Sequence, residues 1–225
     1  MFKRQLFFFI LLTLVALPQS DGTAILEQVK KKFSAVKDYE VEVRIKIDVE
    51  FLKVPDNDAT VYYKAPDKIT MKTGDKFALM PKEGLNFNPS NLLNGKYTSV
   101  LEGETKINGK PHHIVKVIPL GGDGNVVLST LWIDKSTFYI SKVETTTKNS
   151  GTFQLEMVYP ANSKFPLPSS MTFSFEVGKF NFPKGFGGNK KEKDSSSSKA
   201  PGKVYITYKN YKINKGIPDS VFKKK

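Results

Sequence analysis

The chain contains no cysteine. That excludes disulfides, thiol chemistry, cysteine zinc sites and a lipid-modified N-terminal cysteine. Stability must come from an apolar core, and 225 residues are enough to build one. Histidine occurs only as the adjacent pair His112 and His113. On a strand such neighbours face opposite sides and cannot share a metal ion. There is no Gly-x-Ser-x-Gly elbow, no phosphate-cradling glycine loop and no His-Glu-x-x-His helix. Asp123-Gly124-Asn125 has the start of a calcium loop without its remaining ligands or closing glutamate, and reads as a tight turn. No enzyme and no cofactor is expected. Acidic residues are in deficit, 22 against 35 basic ones, for a net charge of +13.

Only one long apolar run is present, Leu6–Leu17, preceded by Lys3 and Arg4 and followed by Pro18, Ser20, Gly22 and Ala24. That is the order of a secretory signal peptide. The run is short against the roughly 20 residues that span a bilayer as a helix; an uncleaved anchor or a buried helix is the alternative. We expect a signal peptide over 1–20, cleaved between 20 and 24, and one exported, soluble domain over 21–225. A basic surface then suits anionic lipid or an acidic protein rather than nucleic acid, with a merely solvated surface as the bland alternative.

Thr23–Lys37 places Ile25, Leu26, Val29, Phe33 and Val36 on one stripe, which predicts an amphipathic helix capped by Asp21 or Thr23. Val41–Phe51 alternates apolar and polar side chains without a break, one strand with an oily face and a charged face. The carboxylates of Asp38–Glu50 alternate with bases on one strand face and read as a solvated, salt-bridged surface. Short strands follow over Thr60–Lys64, Ile69–Lys72 and Phe77–Met80, with a helical turn near Asn88–Leu93. Asn108-Gly109 predicts a tight hairpin between Lys96–Ile107 and His112–Ile118. Further strands are expected over Val126–Ile133, Phe138–Thr147, Thr152–Tyr159, Ser170–Val177 and Lys203–Ile213. The fold class is mainly β with a few helices, nine to eleven antiparallel strands in meander order forming a large curved sheet. Gly178–Gly202 combines phenylalanines among glycines with a Lys/Ser-rich half that cannot bury enough apolar surface to order itself. It reads as a flexible insertion, its aromatic half either idle or in contact with a membrane or ligand.

The apolar face is where function is expected. Candidate residues are Val43, Ile45, Ile47, Val49, Met71, Leu79, Phe153, Leu155, Met157, Phe173 and Phe175, with Ile69, Phe77 and Met171 beside them. Methionine and phenylalanine suit variable apolar shapes. With a single helix as clear cover, the sheet either folds over itself into a dry core or leaves a greasy hollow. Burying one CH₂ gives about 0.8 kcal/mol, so a 16-carbon chain would contribute on the order of 10 kcal/mol before entropy costs.

In order along the chain stand Phe33–Tyr39, Tyr62-Tyr63-Lys64-Ala65-Pro66-Asp67-Lys68-Ile69, Gly103–Gly109, Trp132-Ile133-Asp134 through Ile140, and Tyr208-Lys209-Asn210-Tyr211-Lys212-Ile213-Asn214 with Ile217-Pro218-Asp219-Ser220-Val221-Phe222. This succession resembles the LolA-type periplasmic lipoprotein carriers. The resemblance implies an antiparallel half-barrel lidded by helices, whose interior shields the acyl chains of lipoproteins or related lipids. It further implies a monomer that takes cargo from an inner-membrane release complex and hands it to an outer-membrane acceptor. Where those carriers place an arginine before the proline, this chain has Ala65, so that latch is not carried over. Relatives on the same fold bind glycolipids or sense envelope stress, and these are the alternative functions; a hydrolase ranks last.

Overall fold

The structure is a computed structural model that describes residues 22–49, 55–73, 93, 95–121, 124–176 and 201–223. Among the described residues, helix α1 (Thr23–Ser34) is followed by ten strands. These are β1 (Asp38–Asp48), β2 (Asn57–Lys64), β3 (Lys68–Thr73), β4 (Tyr97–Ile107), β5 (Lys110–Pro119), β6 (Val126–Asp134), β7 (Ile140–Thr147), β8 (Gly151–Val158), β9 (Ser170–Glu176) and β10 (Pro201–Ile213). A 3₁₀ turn, Asp219–Phe222, follows β10.

All ten strands form one open, curled sheet in the order β3-β2-β1-β10-β9-β8-β7-β6-β5-β4. The expected strand count is met, but the order is not a simple meander. Two meanders, β1–β3 and β4–β10, are joined by antiparallel pairing of β1 with β10, which sets Ile45 opposite Ile206 and Ile47 opposite Val204. A pairing between segments so far apart in sequence leaves no local signal. Among the described residues, no helix is long and apolar enough to cross a membrane.

Local chemistry explains the hairpins. Asn108 and Gly109 both adopt positive φ, 50° and 77°, the geometry of a turn whose twist matches the flanking strands β4 and β5. At the next corner the Asp134 carboxylate accepts hydrogen bonds from the Ser136 and Thr137 amides at 2.8 and 3.0 Å, and from the Ser136 hydroxyl at 2.6 Å. Burial by itself would push this carboxyl up, but those donors more than offset it and hold the group below its usual range.

Several expectations shift. Helix α1 stops at Ser34 rather than Lys37, because the Lys37 amide donates to the Asn214 side chain at 2.8 Å instead of continuing the helix. Its N-cap is Gly22, with no side-chain cap, and Thr23 Oγ1 shares a hydrogen bond with Ser99 Oγ at 3.1 Å. Strand β2 opens at Asn57, three residues ahead of the expected Thr60; Phe138, expected in a strand, adopts φ 59° before β7. The charged face of β1 does form ion pairs across strands, Arg44–Asp58 and Lys212–Glu40. Asp38 is the exception, since its carboxylate is buried. Pro201 and Gly202, assigned to the flexible insertion, begin β10. The remainder of that insertion, the signal segment, Phe51, Phe77–Met80 and Asn88–Leu92 lie outside the described residues.

The start of α1 sits hard against the sheet. A Cβ on Gly22 would lie 2.6 Å from Cγ1 of Val115, which is fully buried and has no room to yield. Gly22→Ala is therefore expected to destabilise the protein by about 1–3 kcal/mol, the usual cost of overpacking, as read from urea unfolding.

Candidate functional site

The concave face of the sheet is built from the in-phase residues of each strand, and most of it is solid. Ile45, Ile47, Val49, Leu155, Phe173 and Phe175 are buried in one core cluster with Leu26 and Val29 of α1, Val115, Leu131, Val204 and Ile206. Phe173, only 1% exposed, is the largest of its fully buried side chains. Its ring lies 5.5 Å from Phe153 and 5.2 Å from Phe175 between ring centroids. Met71 and Phe153 are half-buried against this cluster, and Leu79 lies outside the described residues.

At one end of the sheet the packing opens. Around the start of β1, the end of β2, the end of β8 and the last turn of β10 lies a hollow of about 820 Å³, part of it continuous with solvent. Val43, Val61, Ile69, Met157, Met171 and Ile206 form its apolar wall. Phe33 and Val36 from the end of α1 close one side, and Pro166, Leu167 and Pro168 from the β8–β9 crossing close another. Of the eleven candidates read from the sequence, Val43 and Met157 border the hollow; the neighbouring Ile69 and Met171 do so as well. Both outcomes that the sequence left open, a dry core and a greasy hollow, coexist on one face.

Five tyrosines complete the lining: Tyr39, Tyr63, Tyr159, Tyr208 and Tyr211. Tyr39 stacks on Tyr63 at 5.2 Å and meets Tyr211 edge-on at 5.8 Å. Three hydroxyls are committed to backbone carbonyls: Tyr63 donates to Pro66 at 3.2 Å, Tyr159 to Ile140 at 2.8 Å and Tyr211 to Pro168 at 2.9 Å. Burial pushes the phenols of Tyr39, Tyr159, Tyr208 and Tyr211 above the ordinary range, and the neighbouring phenols push in the same direction. All of them are neutral donors at physiological pH.

The rim is tied down by the segment after β10. Asn214, at φ 55°, accepts from the Lys37 amide and donates to the Ala35 carbonyl at 2.9 Å. The Asp38 carboxylate accepts from the amides of Lys215 and Gly216 at 2.9 and 3.0 Å. Lys64 reaches the Ile217 carbonyl at 3.0 Å and Asp219 at 2.8 Å, and Lys68 joins Asp219 at 3.2 Å. The end of α1, the start of β1, β2 and β3 thus meet one C-terminal strap beside the hollow.

Among the described residues, neither histidine lines the hollow. His112 is buried on the opposite face, its ring nitrogens 2.8 Å from the Lys110 carbonyl and the Ser141 hydroxyl. His113 lies on the concave side near Glu104, and burial lowers its pKa. Among the described residues, no group of three or more His, Asp or Glu side chains could hold a metal ion.

No family model matches the chain by sequence, and no curated protein does. Solved structures do match in three dimensions. A LolA superfamily protein from Nitrosomonas europaea superimposes with a TM-score of 0.61 at 12% identity, covering 91% of this chain and 98% of that one. The chain carries a LolA-like fold. A DUF1329 family protein from Desulfovibrio piger follows with a TM-score of 0.58 at 13% identity, covering 91% of this chain and 98% of that chain. A domain assigned to outer membrane lipoprotein sorting, from Vibrio parahaemolyticus, gives 0.53 at 14% identity, covering 88% and 94%. The near-complete coverage of these LolA-like chains places the ten-stranded sheet within the compared fold as a whole rather than within one motif of it.

The local geometry gives the C-terminal residues Asn214–Asp219 a structural role. Asn214, Gly216, Ile217 and Asp219 hold the strap to the rim. The tyrosine lining was missed. Tyr39 and Tyr63 continue the apolar phases of β1 and β2, a readable signal; Tyr208 and Tyr211 are three residues apart and fall out of phase unless a bulge is known.

Proposed function

We propose that the protein binds the acyl chain of a lipoprotein or related lipid in the hollow at the end of its curled sheet, as a soluble periplasmic carrier that moves such cargo from the inner to the outer membrane. The observation that carries this reading is the hollow itself, an apolar, solvent-connected space beside an otherwise packed core. Burial of each CH₂ contributes about 0.8 kcal/mol, so a site that offers oil and shape alone can hold a long chain. An inner-membrane release complex and an outer-membrane acceptor are the partners this role requires, and no catalytic step is part of it. Supporting the reading are the LolA-like fold and the signal-peptide order of the N-terminal sequence.

The test is uptake of a fluorescent acyl probe by purified protein, together with native mass spectrometry for a lipid-sized adduct. Ile69 borders the hollow and is half-buried, so a charge there reaches the site without entering the central core. Ile69→Glu is expected to lower probe affinity at least about tenfold, the effect of desolvating a carboxylate against a bound chain, with a near-native melting temperature. Absence of both adduct and uptake in the unaltered protein would reject the carrier reading.

A further inference from the structure

Two of the five phenols in the hollow have no strong acceptor. The Tyr208 hydroxyl has only the thioether of Met171, at 4.0 Å, and the Tyr39 hydroxyl has no hydrogen-bond partner among the described residues. Both rings line the hollow and both pack against the Tyr211 ring, with centroids 5.8 Å (Tyr39) and 6.0 Å (Tyr208) away, so the two phenols flank one neighbour. Donors in an apolar space that go unmatched by the protein are matched by water or by what binds there. A bound hydrocarbon displaces the water and leaves both donors empty, whereas a chain bearing an acceptor replaces it.

The acceptor's charge is also constrained. Among the described residues, no lysine, arginine or histidine lines the hollow. A carboxylate would enter without a counter-charge, a costly burial, while a neutral carbonyl needs only a donor. Three of the lining tyrosines already donate to backbone carbonyls in the same way.

We infer that the hollow takes an acyl chain together with its carbonyl, and that Tyr39 and Tyr208 donate hydrogen bonds to that ester or amide oxygen. This rests on the acyl-binding reading above and narrows it: the ligand class is O- or N-acylated, not free fatty acid, alkane or alkyl ether. The methylene chain lies along Val43, Val61, Met157 and Met171, and the carbonyl stands at the phenols.

Affinities of 1-palmitoylglycerol and its ether counterpart 1-O-hexadecylglycerol, measured by displacement of a fluorescent acyl probe, separate the possibilities. The two share chain length and head group and differ in the carbonyl. In the unaltered protein the ester should bind about tenfold more tightly, the worth of one to two hydrogen bonds to a desolvated donor pair. In the double variant Tyr39→Phe/Tyr208→Phe the ester should fall to the level of the ether, and the ether should be unchanged. Constant ether affinity shows that the variant hollow is intact, and the ester-to-ether ratio in the unaltered protein needs no variant at all. Equal binding of ester and ether by the unaltered protein, or a preference that survives the double substitution, would overturn the carbonyl clamp while leaving acyl binding in place. Failure of both ligands to bind would overturn the acyl-binding reading and the clamp with it.

Discussion

Replacing Phe173 by alanine is expected to cost about 3–5 kcal/mol of stability, the range for removing a buried aromatic ring without collapse of the space left behind. Phe173 sits in β9 between Leu155 of β8 and Val204 of β10, all three fully or almost fully buried, with Phe153 and Phe175 against its ring. Each of those neighbours is fixed by strand pairing on both sides, so little of the cavity can close. Against a total of about 5–15 kcal/mol for an ordinary domain, such a loss moves the urea midpoint far and leaves the slope unchanged. Phe173 does not border the hollow. Acyl-probe affinity per folded molecule should therefore stay near that of the unaltered protein. A stability loss below about 1 kcal/mol, accompanied by loss of uptake, would show instead that the ring faces a binding space.

That prediction marks the limit of what alternation reveals. The apolar/polar pattern of Val41–Phe51 locates β1 within three residues at its start and assigns Val43, Ile45 and Ile47 to the inner face correctly. A two-residue period reports which face a side chain takes, and nothing about how deep the opposite wall stands. Val43 and Ile45 are therefore indistinguishable in sequence, yet one borders the hollow and the other lies wholly within the core. Asn108-Gly109 could be read directly because the turn's chemistry is local. The β1–β10 junction could not, since it joins segments some 160 residues apart, as in the Arg44–Thr207 pair. The tyrosine site was hidden by backbone geometry. Between the pairs Glu42–Lys209 and Glu40–Lys212, β10 carries one residue more than β1, and Asn210 adopts φ 56° there. This bulge brings Tyr211 back onto the same side as Tyr208. Asp38 misled for a related reason: it is the first residue of an alternating charged strand, but the strap folds over it and takes it out of solvent.

The strap supplies the second large effect. Asp38→Ala is expected to destabilise the protein by about 2–3 kcal/mol, because hydrogen bonds to a charged acceptor are worth more than neutral ones and two backbone donors lose their partner together. The carboxylate is only 7% exposed and accepts from Lys215 at 2.9 Å and from Gly216 at 3.0 and 3.1 Å. Gly216 holds φ 81° to present its amide, a conformation that an L-residue adopts only under strain. Once the carboxylate is gone, little keeps the strap in that shape except Asn214 and the Lys64 and Lys68 contacts to Ile217 and Asp219. Asp38→Asn retains an oxygen for the two amides and should lose roughly half as much, since the charge but not the acceptor is removed. The two effects can be read separately: urea unfolding gives the stability, and hydrogen exchange at Lys215 and Gly216 reports whether the strap itself has opened. Because the strap folds over Asp38, the neighbour of the hollow-lining Tyr39, exchange should rise at those two amides before the sheet unfolds, and acyl-probe release should accelerate in parallel. Unchanged exchange at Lys215 and Gly216 in Asp38→Ala would mean that the rim is held by the lysine–Asp219 pairs, although these are largely solvent-exposed and screened.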